Sequence, residues 1–308
     1  MTSRVAICVS TFHRPDGLRR LLESIAALEL DPPAPRITIV VVNNDPADRR
    51  PAEIVADLAR RVPHRLACVD EPRRGLSAPR NRALDVAVED HDHVAFIDDD
   101  SRADPAWLQR LLDTARATGA AAVTGPVTPA FEAEPPAWIV AGRFFASPRR
   151  PTGSEVGHAF TNNVLVSAAF LREHGLRFDL RLGPTGGEDT HFFRRLRRAG
   201  GRIVWADEAI VEDAVPPERA TARWLVRRHV RTGMSTAWIE ADLRGRLRAW
   251  PLVAARAVAW APLGAGLLLA GLLRGPATRV RARCWLGWSR GLALGLLGRS
   301  YAEYLRER

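Results

Sequence analysis

The chain has 308 residues, 46% of them hydrophobic and 26% charged, a balance that fills a sizeable core and excludes a disordered or fibrous protein. Cys8, Cys68 and Cys284 are odd in number and far apart, which excludes a disulfide framework or zinc ligand set and fits a reducing compartment. All 45 basic residues are arginine and the net charge is +10, yet residues 219–308 hold 17 arginines against four acids, +13, and residues 1–218 hold 28 against 31, −3.

In chain order, four short apolar runs read as strands: VAICVS (5–10), ITIVVV (37–42), LACVD (66–70) and VAFID (94–98). Helix-period stretches separate them, such as GLRRLLESIAAL, which places Leu18, Leu21, Leu22 and Ile25 on one face. Strands without alternation, each followed by a helix, predict an α/β fold with a mostly parallel sheet covered on both faces. Ligands of such sheets bind beyond the carboxyl ends of the strands. Polar groups collect there: Thr11 to Arg14, Asn43 to Asp45, and Asp98 to Asp100. The segment 126–160, rich in proline and glycine, predicts loops and short elements near a site. NVLV then reads as a strand, EDTHFFRRLRRAG as a helix closed by glycine, and RIVW and AIVE as two further strands. No basic segment followed by an apolar run precedes the first strand, so no secretory signal is expected and the cytosolic side is.

From about 219 the character changes: Trp224, Trp238, Trp250, Trp260, Trp285 and Trp288 lie in the arginine-rich part. The 17-residue uncharged run Ala257–Leu273, with Pro262 and three glycines, is short beside the roughly 20 apolar residues of a spanning helix. In the following CWLGWSRGLALGLLG, Trp285, Trp288, Leu292 and Leu296 share a helical face. Tryptophan and arginine beside an apolar face suit a helix in the headgroup region. A helical appendage with surface arginines has the same pattern. The expected organisation is one domain over 1–235 and a helical, membrane-associating region over 236–308.

Asp98, Asp99 and Asp100 directly follow an apolar run. Carboxylates this close raise one another's pKa unless a cation or hydrogen-bond donors offset them. Side chains two apart on an extended segment point the same way, so Asp98 and Asp100 converge while Asp99 faces elsewhere. The pair suits Mg2+ or Mn2+, with phosphate oxygens completing the shell. Aspartates capping a helix that opens near Pro105 would read the same way.

CVSTFHRPDGLRRLLESI, IVVVNNDP, EPRRGLSAPRNRALDVA, VAFIDDDSRADPAWLQRLL and GGEDTHFFRRLRRAGGRIVWADEAIVEDAVPPER come in an order and spacing that resembles the family 2 inverting glycosyltransferases. Within that family the chain most resembles the succinoglycan-type exopolysaccharide glucosyltransferase group, over residues 4–235. The resemblance implies a GT-A fold, Rossmann-like in its central sheet, a nucleotide-diphosphate sugar donor and a divalent metal. It implies that Asp98 and Asp100 form the acidic metal pair, with Asp100 the direct ligand, and that Asp213 replaces a metal-binding histidine of relatives. Asp189 matches the catalytic base, with Glu188 orienting the acceptor; a helix cap is the other reading of Asp189. Thr11, Phe12 and Arg14 match the loop around the nucleotide, Arg80 and Asn81 an element beside base and diphosphate, and Asp99 joins these donor contacts. An ordinary solvated surface arginine is the other reading of Arg80. Arg228 and Arg231 stand in for a Q-x-x-R-W element that is not literally present. Relatives commonly carry aspartate at Asn43 to accept a hydrogen bond from uracil; asparagine both accepts and donates, so the nucleotide is left open, with Asp45 sharing the contact.

The implied activity is inverting transfer to a saccharide, such as a lipid-linked exopolysaccharide or cell-surface glycan intermediate. The implied location is the cytoplasmic face of the cell membrane, peripheral or monotopic. Acceptor choice is expected in the 126–160 loops, with Trp138 either a sugar-stacking surface or a core residue. A nucleotidyltransferase shares the sheet and acidic pair but wants a glycine-rich basic loop, where STFHRPDG has one glycine. A nucleic-acid binder would use the arginine-rich end, whose tryptophans and apolar run favour a membrane surface instead, so no nucleic acid is expected. Neither G-x-G-x-x-G after the first strand nor a phosphate loop occurs, which argues against a dehydrogenase or P-loop enzyme.

Overall fold

A computed structural model describes residues 2–301; positions 302–308, the end of the helical region expected over 236–308, lie outside the described residues. The elements in chain order are β1 (Arg4–Thr11), α1 (Pro15–Ala26), β2 (Arg36–Asn43), α2 (Arg50–Ala59), β3 (Arg65–Asp70), α3 (Ser77–Ala87), β4 (His93–Phe96), β5 (Ser101–Ala103), α4 (Trp107–Thr118), β6 (Ala122–Thr124), β7 (Val127–Phe131), α5 (Ala137–Gly142), β8 (Val164–Ser167), α6 (Ala168–Glu173), α7 (Glu188–Arg198), β9 (Ile203–Trp205), β10 (Val211–Val215), α8 (Ala222–Arg244), α9 (Arg246–Arg274) and α10 (Pro276–Leu296).

Alternation along β1 sends Val5, Ile7 and Val9 to one face of the main sheet and Ala6 and Cys8 to the other. The first face packs on Leu18, Leu21, Leu22 and Ile25 of α1 and on Trp107 and Leu111 of α4. The second packs on Ala83 and Leu84 of α3 and on Phe192 and Phe193 of α7. Burial on both faces is why the strands read as unbroken apolar runs. The seven strands lie in the order β3-β2-β1-β4-β8-β6-β9. All neighbours are parallel except β8, which runs antiparallel to β4 and β6. The chain changes direction of winding between β1 and β4, where carboxyl ends open a crevice. A second sheet, β5-β10-β7, is three-stranded.

Two expected strands shift. β4 ends at Phe96, so Ile97 and Asp98 have already left the sheet. The AIVE strand becomes Val211–Val215, because Ala209 is held in a turn by its N–H bond to the Ala206 carbonyl.

The chain forms two compact units, one of residues 1–129, 146–180 and 188–214, the other of 130–145, 181–187 and 215 onward. The boundary expected after residue 235 falls inside α8. In the second unit α8 and α10 approach through glycine: a Cβ on Gly291 would lie 2.1 Å from the Val230 carbonyl oxygen, and one on Gly233 2.4 Å from that of Trp288. Gly287, Gly291 and Gly295 repeat every fourth residue on α10, the small-residue spacing that lets helix backbones meet. Glu240, 1% exposed, accepts from Arg244 Nε at 2.6 Å and Arg256 Nη1 at 2.9 Å and so ties α8 to α9. α9 runs through Arg256, making the 17-residue uncharged run part of a 29-residue helix, about 43 Å long at 1.5 Å per residue. Among the described residues α9 is the one helix long and apolar enough to cross a membrane. It exposes Val258, Leu263, Leu269, Leu272 and Leu273.

Candidate active site

The three aspartates form the turn between β4 and β5 in the first unit. The turn runs against the first turn of α1 at Gly17, where a Cβ would lie 2.7 Å from the Asp99 carbonyl oxygen; glycine alone allows that approach. Asp99 faces inward and is 4% exposed. It accepts from Thr11 Oγ1 at 2.8 Å and Arg14 Nη1 at 3.0 Å, and Arg14 Nη1 also donates to Asp100 Oδ2 at 2.9 Å. Thr11, Arg14 and Asp99 therefore fasten the loop after β1 to the acid turn. The side chains of Asp98 and Asp100 keep 41% and 19% exposure, so these two carboxylates, unlike Asp99, are open to solvent.

Pairing of β10 with β5 sets Asp213 opposite Ser101. Its two oxygens accept from Ser101 Oγ and from Asn162 Nδ2, the latter at 2.9 Å. The next residue, Asn163, is buried and fixes this segment through bonds to the Pro126 and Ala209 carbonyls and from Trp107 Nε1. Burial pushes the carboxyls of Asp99 and Asp213 up to about 6, and neighbouring aspartates push the same way. The carboxyl of Asp98, although its side chain keeps 41% exposure, is also raised: partial desolvation leads, Arg80 opposes and Asp100 adds. Burial pulls Arg14 down, but Asp99 and Asp100 more than reverse it, so it stays cationic.

Arg80 is 7% exposed and no surface arginine. Its Nη1 donates to Glu188 Oε1 and its Nη2 lies 3.5 Å from Asp98 Oδ1. Glu188 is 2% exposed, and its Oε2 is buried without a hydrogen-bond partner among the described residues. Burial raises its carboxyl to about 7 against the pull of Arg80. Glu188 is thus held as the buried partner of Arg80. Asp189, beside it, is half-buried at the start of α7; its Oδ1 accepts from the Thr190 N–H at 2.5 Å and Thr190 Oγ1 at 3.3 Å. Its charge acts on Arg80, Asp98 and His158. The candidate base and the acid turn therefore share one electrostatic neighbourhood.

Asn81 is engaged with the backbone: its Nδ2 donates to the Phe178 carbonyl at 2.8 Å and its Oδ1 accepts from the Phe178 N–H at 2.8 Å. Asn43 is likewise engaged, donating to the Asp48 carbonyl and Asp70 Oδ1 and accepting from the Asp45 N–H. Asp70, exposed and in register with Asn43, was not picked out by sequence. Asp45 Oδ2 accepts from His13 Nε2 at 2.6 Å, and that bond holds its carboxyl below the usual range. His13 has φ of 53°, a left-handed backbone uncommon outside glycine and enriched at functional sites. Phe12 stacks on the His13 ring at 4.1 Å and lies under the Arg74 guanidinium at 4.3 Å. Arg228 and Arg231 lie on α8, in the second unit, whereas the candidate residues of the acid turn, of the ends of β1 and β2, and of α3, α7 and β10 are in the first. Trp138 packs with Phe144, Phe145, Ile139 and Trp224 in the apolar clusters of the second unit, the core alternative.

Asp98, Asp100 and Asp213 offer only oxygen, repel one another, and are offset in part by Arg14 and Arg80. That donor set fits a hard divalent cation such as Mg2+ or Mn2+.

The family model described as Glycosyl transferase family 2 matches residues 6–175, and the one described as Glycosyl transferase family group 2 matches 93–297. The chain is 37% identical over 257 residues to the succinoglycan biosynthesis protein ExoM of Rhizobium meliloti, covering 83% of this chain and 82% of that protein. It is 28% identical over 255 residues to the glucosyl-dolichyl phosphate glucuronosyltransferase of Haloferax volcanii, covering 76% of each. Among solved structures it is similar to the mannosyltransferase PcManGT of Pyrobaculum calidifontis in complex with GDP-Man and Mn2+, with a TM-score of 0.63, 20% identity and coverage of 97% and 89%. S. aureus TarS in complex with UDP-GlcNAc gives a TM-score of 0.57 at 15% identity, with coverage of 97% and 93%. The likeness to these structures is one of fold, the GT-A arrangement.

Proposed function

We propose, because this chain belongs to glycosyl transferase family 2, that it is a metal-dependent, inverting enzyme moving a sugar from a nucleotide diphosphate to a saccharide at a membrane surface. The observation that carries the reading is the joining of the acid turn to Asp189 through Arg80 and Glu188. Asp98, Asp100 and Asp213 would hold Mg2+ or Mn2+. Bound there, the ion supplies positive charge against the departing diphosphate. Arg14 keeps Asp99 and Asp100 in place. Asp189 accepts the proton of the acceptor hydroxyl as that oxygen bonds to the anomeric carbon from the side opposite the leaving phosphate oxygen. The bond to phosphate breaks, the configuration inverts, and the electron pair leaves on the nucleoside diphosphate. Phe12, His13, Asp45 and Asp70 border the place for the nucleobase at the ends of β1, β2 and β3.

The names of two relatives, in succinoglycan biosynthesis and dolichyl phosphate glycosylation, support a lipid-linked glycan acceptor. The exposed leucines of α9 and the excess of arginine around it support a peripheral or monotopic place on the cytoplasmic face of a membrane.

Calorimetric titration of the full chain with UDP-, GDP-, TDP-, ADP- and CDP-sugars, with Mn2+ and with EDTA, tests the reading. One nucleotide class is expected to bind in Mn2+ and to lose most of its affinity in EDTA. Absence of binding to all five, or binding indifferent to chelation, overturns it.

A further inference from the structure

Beside Asp189 the first unit contains a cleft of about 330 Å3 lined by Gly157, His158, Phe160, Thr190, Phe193 and Arg194. That volume is at the lower end of the roughly 300–1,000 Å3 of small-molecule sites, room for one sugar ring. Phe193 is fully buried and closes the floor, whereas Phe160 is 45% exposed. Every other phenylalanine described in this unit is buried or half-buried. The rings of Phe160 and His158 lie 5.4 Å apart at 56°, an angled aromatic wall. Burial and Arg150 hold the imidazole of His158 below its ordinary range, with Asp189 opposing. A neutral imidazole offers one donor and one acceptor, and Thr190 Oγ1 offers a hydroxyl.

The cleft is also placed for chemistry. Thr190 Oγ1 lies 3.3 Å from Asp189 Oδ1, so one wall is bonded to the candidate base. Two residues after Phe160, Asn162 donates to Asp213 of the acid cluster. An apolar face next to hydroxyl-pairing groups matches a pyranose, whose C–H faces are apolar and whose rim is polar.

We propose that this cleft is the acceptor subsite: Phe160 carries the apolar face of the acceptor's terminal hexopyranose, and His158 and Thr190 bind its hydroxyls, presenting one to Asp189. The assignment rests on the glycosyl-transfer reading, and it moves acceptor stacking from Trp138 to the far end of the 126–160 segment.

The test uses the full chain in detergent with Mn2+ and the nucleoside diphosphate chosen by the donor titration. Binding of methyl β-D-glucopyranoside, methyl β-D-galactopyranoside and methyl α-D-mannopyranoside is followed by saturation-transfer NMR. At least one should bind the unaltered protein. Phe160→Ala should weaken it roughly tenfold, the scale of a lost aromatic contact, while Phe160→Trp should retain it. Nucleotide affinity should stay unchanged in both variants, which also controls for folding. If none of the three glycosides binds, or if binding is the same in Phe160→Ala, the assignment is wrong while the donor reading stands. If the unaltered protein binds no nucleotide, the glycosyl-transfer reading fails and the subsite falls with it.

Discussion

The two units use arginine in opposite ways. In the first, Arg14 and Arg80 each serve two carboxylates, Asp99 with Asp100 and Glu188 with Asp98, and acids still exceed bases at the turn. In the second, Glu240, an acid buried between helices, is served by two arginines. Packing differs in the same sense. The first unit interlocks large side chains such as Trp107, Phe192 and Phe193 around its sheet. The second brings α8 and α10 together over glycines and leaves leucines of α9 exposed. The first unit keeps an excess of carboxylate at its turn; the second carries an excess of arginine beside exposed leucines. The net +10 of the whole chain conceals both properties.

Four substitutions sharpen that contrast. Arg80→Met strands Glu188 as a buried acid without its partner and should cost about 3–5 kcal/mol of stability, read by urea unfolding. Leu269→Asp on α9 should remove about 3 kcal/mol of affinity for anionic vesicles if that face is immersed, measured by flotation, with nucleotide binding unchanged. Asp100→Asn should weaken Mn2+-dependent nucleotide binding roughly hundredfold, at least what loss of a metal-site partner costs, and leave flotation intact. Gly291→Ala forces a Cβ against the Val230 carbonyl and should cost about 1–3 kcal/mol, seen as a lower melting temperature with donor affinity preserved. A protein in which Leu269→Asp abolishes nucleotide binding, or Asp100→Asn abolishes flotation, would contradict the division of labour.

The sheet was legible because its signal is local: apolar runs with turns between them locate β1, β2 and β3 to within a residue or two. The acid turn was legible for the same reason. What sequence missed is where side chains point, since that is decided by distant partners. The amide of Asn81 is spent on Phe178, and Glu188 is held by Arg80, 108 residues away. Phe160 was passed over because an aromatic ring reads as core unless its exposure is known. The 17-residue uncharged run is part of a longer helix because arginine, a good helix former, does not end one; Arg256 lies inside α9 and pairs with Glu240.

The central claim is that donor holding and proton removal belong to different carboxylates of one site. Asp189→Asn, assayed side by side for Mn2+-dependent nucleotide-sugar binding and for transfer, tests it most directly. Donor affinity should remain within about twofold of the unaltered protein while transfer falls by roughly 10²–10⁴, the range of a lost general base. A variant that still transfers at the original rate, or one that loses the donor together with transfer, would contradict the account.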